Sequence, residues 1–350
     1  MQDVRLRGGY NRAVRDPNLD ELFAPAAVGS GGVADPCWGS APVLTQAECA
    51  LTGVSAARYG HLSTNSAAQI NTQTAGNPTL TPEIADTYTL GLVIQPQAIP
   101  NLVASIDAFN IKIKNTITAI SPTTIVLDCG LGIDPALCSH IHRSPGSQSL
   151  WLATNGFVDT TTQNVGINST KGLDATAHYR LDIGKAGRLG FGLAGTYTKA
   201  FTIQPDPNGG AYDCVGLFGG TCGFPLPKWR HVFTTNWGAP WAGLDVTLRW
   251  RHIGSADVDR SSSNRQLSSG FYTAVGHFAA YNYLDLSASV PIGQSADFRL
   301  GINNIADKNP PLVPTGTLSN CPTASCNDNT FVGTYDTLGR YIFAHVGVKF

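Results

Sequence analysis

Along much of this chain, hydrophobic and polar residues alternate one by one. In the run 244–251, Leu244, Val246, Leu248 and Trp250 share one parity, while Asp245, Thr247, Arg249 and Arg251 share the other. Successive side chains of a strand point to opposite faces, so this period of two predicts strands that are apolar on one side only. Leu284, Leu286, Ala288 and Val290 repeat the pattern against Asp285, Ser287 and Ser289, as do Phe298, Leu300 and Ile302 against Asp297, Arg299 and Gly301. In the final stretch, Ile342, Ala344, Val346, Val348 and Phe350 form a wholly apolar parity opposite Tyr341, Phe343, His345, Gly347 and Lys349. Ten strands are predicted, at 4–15, 83–95, 101–118, 163–182, 188–204, 228–238, 243–255, 280–290, 296–305 and 339–350. One of them changes phase. Leu102, Ala104, Ile106 and Ala108 are apolar on even numbers and Ile111 and Ile113 on odd ones, which predicts a bulge near Ala108–Asn110.

Connections between these strands alternate in length. Those at 95–101, 183–187, 238–243 and 291–296 are short; those at 16–82, 119–162, 205–227, 256–279 and 306–338 are long. A compact soluble domain rarely carries several long structureless loops. A membrane barrel does, with tight periplasmic turns and long extracellular loops. The pattern therefore predicts an all-β fold: an antiparallel, up-and-down transmembrane β-barrel wall of about ten strands over residues 1–350. Trp229 and Trp237 share a parity eight residues apart, which spans roughly 20 Å of membrane height at an ordinary strand tilt. The plainer reading of such aromatics is the core of a soluble β-sandwich.

Composition agrees with strands and loops. Charged residues make up 13 % of the chain and hydrophobic ones 42 %, so the charge is about half that of a typical soluble domain and has given way to Gly, Ser, Thr and Asn. A net charge of −1 argues against a nucleic-acid surface. No apolar run is long enough for a transmembrane helix. Met1–Arg7 has no signal-peptide pattern, so an outer-membrane protein would carry its signal upstream.

All eight cysteines lie in long connections, as four close pairs: Cys37 and Cys49, Cys129 and Cys138, Cys214 and Cys222, Cys321 and Cys326. Anchored strands would hold the pairs apart, which predicts four local disulfides and an oxidising compartment. Cys129 and Cys138 with His140 and His142 also have the donors of a tetrahedral metal site, but the other three pairs lack such histidines, and no metal or cofactor is expected. Gly190-Phe-Gly-Leu-Ala-Gly195 matches a dinucleotide fingerprint, yet the strand pattern continues through it where that motif needs a helix. The glycines are expected to make room for a bulky interior neighbour. Nucleophile-elbow, zinc-protease and P-loop patterns are missing, so no catalytic residue is assigned.

Longer stretches carry a family resemblance. The segment 11–23, running from Asn11 through Arg15 and Pro17 to Glu21-Leu-Phe23, resembles the arginine–proline–"ELF" stretch of the TonB-dependent outer-membrane receptors. Asp16 departs from the small residue usual before that proline. Asn77-Pro-Thr-Leu-Thr-Pro-Glu83 resembles the family's lead-in to its next strand, 106–117 the strand after it, and 301–311 and 335–340 its last two strand signatures. The resemblance implies the C-terminal half of a 22-stranded barrel whose plug, coupling box and first strands lie elsewhere. It implies energy-coupled uptake of a scarce ligand (a siderophore, cobalamin, an oligosaccharide or the like), with a passive pore as the alternative. Implied partners are outer-membrane lipid, the missing plug and barrel half, the inner-membrane TonB complex and the barrel assembly machinery. Tyr341, Phe343 and Phe350 are similar to the C-terminal insertion signal. Trp38, Tyr59, Trp151, Tyr212 and Phe218 would be ligand contacts in the loops. Arg5, Arg7, Asp245, Arg249, Arg251 and Asp285 would line the lumen against the plug. A lone piece of such a wall is expected to be a curved, partly open sheet.

Overall fold

The structure, a computed structural model, describes residues 3–31, 35–63, 69–205, 210–219, 221–264, 267, 276–313 and 330–348. Ten long strands form one antiparallel sheet in chain order: β1 (Val4–Arg15), β2 (Glu83–Ile94), β3 (Leu102–Thr118), β4 (Gln163–Asp182), β5 (Arg188–Gln204), β6 (Trp229–Gly238), β7 (Asp245–Ile253), β8 (Tyr281–Ile292), β9 (Ala296–Asn303) and β10 (Tyr341–Val348). Every long strand pairs with its neighbours in sequence. The order begins at β1 and ends at β10, which do not pair with each other, so the wall is open as expected. The bounds fall within a few residues of those read from alternation.

Residues opposed in register share a face, so the two faces can be followed across the whole sheet. Trp237, Val246 and Ala288 lie in one row and Thr235, Leu248, Leu286, Ile302 and Ile342 in the next. This face leaves Leu6, Leu90, Ile106, Leu286, Leu300 and Val346 exposed. In water such a surface would be an aggregation liability; in hydrocarbon it is the required surface of a barrel. At the short-turn end Trp237 and Trp241 meet edge to face, 5.7 Å between ring centroids. Toward the loops, Trp229 and Trp250 lie on the same outer face, opposite Tyr197 and Phe233 respectively. These are the two aromatic rims anticipated from Trp229 and Trp237.

Three expectations need correction. The bulge is not at Ala108–Asn110: β2 and β3 pair without interruption from Ala104 to Lys114. The irregularity comes at Lys114–Ile117, where Asn115 takes φ 55°. Parity changes because the outer face changes medium with height. Leu92 and Ile106 give way to Tyr88 and Asn110, then to Asp86 and Lys112, while Ile111 and Ile113 simply face inward. Second, a Cβ on Gly195 would meet the Trp229 ring, so the bulky neighbour this glycine makes room for is exterior, not interior.

Third, the long connections are not structureless. The first two fold together. They share a small sheet in the order Ala27–Gly31, Ile70–Thr74, Phe157–Asp159, Ile141–His142, with helices α1 (Leu19–Phe23), α2 (Gln46–Leu51) and α3 (Pro122–Gly130). Ile70 of the first packs with Ile125, Val126, Leu150 and Val158 of the second. The other three long connections build a second cap, in which Phe218, Val258, Phe278, Phe331 and Tyr335 form a buried core.

Candidate functional site

The motifs that carry the resemblance prove to be fasteners at the loop rim. Arg15 donates from Nε to Glu83 at 2.7 Å and from both Nη atoms to Glu21 at 3.0 Å. Glu21 closes a capping box with Asn18 at the start of α1, satisfying amides that the helix cannot. Glu83 also accepts the Ile117 amide at 2.7 Å. Gly76 lies where a Cβ would strike the backbone of 22–24, and the Asn77 amide donates to the Glu21 carbonyl at 2.8 Å. At the other end of the sheet, the Asp307 carboxylate accepts the Arg340 amide at 2.8 Å, and Arg340 Nε donates to the Ile305 carbonyl. The sequence signatures therefore tie the roots of the first and last loops to the wall.

Arg15 and the Asn18 amide hold the Glu21 carboxyl below its ordinary value of 4.5. A depressed carboxyl adds stability that is full above its unfolded pKa and is lost as pH falls through its folded one. Amide exchange at Leu22 and Ala24 should therefore be slow at pH 6 and quicken, beyond the intrinsic trend, once pH drops below about 4.5. In Glu21→Gln that acid-dependent step should vanish. An identical step in the variant would remove Glu21 as its cause.

The second face is the concave one, and part of its charge is paired. Arg5, Arg7, Asp245, Arg249, Arg251 and Asp285 all fall on it by register. Sequence reading missed their partners. Arg7 Nε donates to Asp107 at 2.7 Å across Gly91, where a Cβ would collide with that carboxylate. Asp285 is buried and accepts Arg249 Nε at 2.9 Å, Arg251 at 2.9 and 3.1 Å, and the Asn304 amide at 2.8 Å. Arg251 reaches on to Asp336 at 2.9 Å, pulling the last loop onto the wall. Below this group a cavity of about 480 Å³ is lined by Asn236, Asp245, Arg249, Ser287, Arg299 and Phe343.

The two caps bring the loop aromatics to different ends. Tyr59 donates to the Leu44 carbonyl at 3.0 Å and packs on the core around Cys37 and Cys49. Trp38 and Trp151 are half-buried on the first cap. Trp151 Nε1 is buried without a partner among the described residues. Phe218 is fully buried between Phe278 and Phe331, so as the chain stands it is a packing residue. Tyr212 is buried too, its hydroxyl pushed well up by burial and then by the carboxylates of Asp128 and Asp259. These two aromatics hold loops together and present no surface to a ligand.

What joins the first two loops was invisible in sequence. Arg143 and Asp35 form a buried ion pair, Nη1 to Oδ2 at 2.6 Å, and Arg143 also donates to the Thr52 carbonyl and hydroxyl and to the Gln148 carbonyl. Nearby, disulfides join Cys37 to Cys49 and Cys129 to Cys138; the second cap holds Cys214–Cys222. Both sulfurs of the Cys129/Cys138 pair are thus committed, which leaves His140 and His142 without the thiolates a metal site would need. Cys321 and Cys326 lie outside the described residues, as does Phe350. Tyr341 and Phe343 point to the concave side, Phe343 lying over Gly301.

A meander wall with one apolar and one ion-paired face, aromatic rims and folded loops at a single end defines an outer-membrane β-barrel. The family model for the TonB dependent receptor-like β-barrel matches residues 1–305, and the chain belongs to that family. No curated protein sequence matches it. Among solved structures, a point mutant of the ferric enterobactin receptor of Pseudomonas aeruginosa in complex with enterobactin aligns with a TM-score of 0.59 at 15 % identity, covering 100 % of this chain and 39 % of that one. The siderophore receptor PirA from Acinetobacter baumannii aligns with a TM-score of 0.57 at 13 % identity, covering 100 % and 39 %. These likenesses concern the fold, and the chain spans about two-fifths of those receptors' length.

Proposed function

We propose that this chain is the C-terminal part of the barrel of an energy-coupled outer-membrane importer for a scarce ligand too large for porins. The observation that carries the reading is the concave wall. Part of its charge is paired within the wall, as in Arg7–Asp107 and Asp285 with Arg249 and Arg251, while Arg5, Asp245 and Arg299 of the same face have no ion pair among the described residues and suit contact with a packed polar plug. Arg5, Arg7, Asp245, Arg249, Arg251 and Asp285 would meet that plug, and an inner-membrane TonB complex would act on it. Loops stapled into two caps suit capture of a ligand outside the cell, with Trp38, Tyr59 and Trp151 as the aromatics available for contact. Both solved neighbours are siderophore receptors by name, so ferric siderophores are the first ligands to test.

Cells producing the complete receptor that carries this chain should accumulate a labelled ferric siderophore saturably, and a protonophore should abolish the accumulation. Deleting the gene should do the same. Solute flux that survives the protonophore would instead mark a passive pore.

A further inference from the structure

Where the outer face leaves its apolar zone near the loops, its charge is concentrated on one side of the sheet. Arg12, Asp86 and Lys112 are directly opposed across β1, β2 and β3, and Lys171 of β4 lies opposite Asn110. Lys114 reaches the same Asp86 at 3.7 Å, and Arg12 donates to it at 2.8 Å. Four cations therefore stand on this face of β1–β4 with one carboxylate, which only Arg12 and Lys114 of the four contact, a net of three positive charges. All four basic side chains are exposed. One row down, the rings of Tyr10 and Tyr88 meet at a tilt, 5.0 Å between centroids, and Tyr10 donates to Asp86 at 2.9 Å. Below the tyrosines the same strands present Leu6, Leu90, Leu92, Ile106 and Ala108.

The far half of the wall is built differently at this end. There the outer face of β6–β8 carries Trp229, His231, Trp250, His252 and Asn282, none of them lysine or arginine, closed on one another by hydrogen bonds such as Trp229 Nε1 to His231 Nδ1 at 2.8 Å, while Lys199 of β5 is exposed at the bulge opposite Lys171. A uniform interfacial belt would not divide in this way. Going up the outside of β1–β4, the surface is apolar, then aromatic, then cationic. That sequence matches one occupant: a lipid whose acyl chains lie on the leucines and whose headgroup bears phosphate.

We propose that the outer face of β1–β4 binds the phosphorylated headgroup of an outer-leaflet glycolipid, with Arg12, Lys112, Lys114 and Lys171 as its cation set. Asp86 positions Arg12 and Lys114 side by side and keeps both aimed at the headgroup layer. The proposal rests on the membrane reading of the fold, and its test separates the two.

The complete receptor in detergent is titrated with bisphosphorylated lipid A and with its dephosphorylated analogue, and bound lipid is counted by native mass spectrometry. The wild type should hold the phosphorylated lipid far more tightly. The triple variant Lys112→Gln, Lys114→Gln, Lys171→Gln should weaken that retention about a hundredfold, at roughly fivefold per cation near an anionic surface, and bind the dephosphorylated lipid unchanged. Replacing the same three lysines by arginine should restore the preference and shows that the sheet tolerates change there. Equal retention of the phosphorylated lipid by wild type and glutamine variant, or no preference in the wild type, overturns the proposal. A wild type that takes up neither lipid overturns the membrane reading beneath it.

Discussion

In Arg143→Met the first two loops should come apart while the wall beneath them stays folded. Arg143 and Asp35 have side chains only 4 % and 5 % exposed, so deleting the cation leaves a carboxylate buried without its counter-charge, which costs about 3–5 kcal/mol. The Thr52 carbonyl and hydroxyl and the Gln148 carbonyl would lose their donors as well. Hydrogen exchange should show segments 35–59 and 141–150 losing protection, with β1, β2 and β3 unaffected. Replacing the pair together, as Asp35→Leu with Arg143→Met, should recover much of the loss, because no charge is then left stranded. Unchanged protection around Thr52 in the single variant would mean that the ion pair does not join the loops.

An arginine on the outer face should be as costly as one on the inner face is cheap. Leu286 lies near the middle of β8 between Leu248 and Ile302, at mid-height of the apolar band. Leu286→Arg should destabilise the complete receptor in lipid vesicles by roughly 2–4 kcal/mol, the cost of a cation at the bilayer midplane. Its neighbour Ser287 lines the concave cavity, and Ser287→Arg should leave the urea midpoint nearly where it was. Equal effects at the two positions, or the reverse order, would contradict the assignment of the faces.

How much of this was legible in sequence follows from where the information sits. Strands such as β7 and β8 announce themselves because alternation is a local signal, and both faces of Leu244–Arg251 can be read from eight residues. The same rule misled at β3. It takes parity to mean one medium per face, whereas the outer face of this wall passes from Ile106 through Asn110 to Lys112 as it leaves hydrocarbon. The cysteine pairs in three loops were legible because the partners lie 8 to 12 residues apart. Asp35 and Arg143 were not. They are 108 residues apart, in loops whose helices are short and fixed by each other's side chains. Phe218 and Tyr212 carried no mark that separates a loop's own core from its outer surface; only the packing of Phe278, Phe331 and Leu267 around them does.

The alternation of connection lengths also sets an order of assembly. Strands β2–β3, β4–β5, β6–β7 and β8–β9 are joined by tight turns, and such hairpins form in about 1–10 μs. Joining one hairpin to the next means closing a much longer loop. Residues 304–340 separate β9 from β10, against 293–295 between β8 and β9. That is more than three doublings of length, or about 2 kcal/mol of extra chain entropy. The sheet is therefore a set of two-strand units that form early and must search for one another. A disulfide such as Cys37–Cys49, formed before they meet, shortens the tether between β1 and the first of these units and narrows that search.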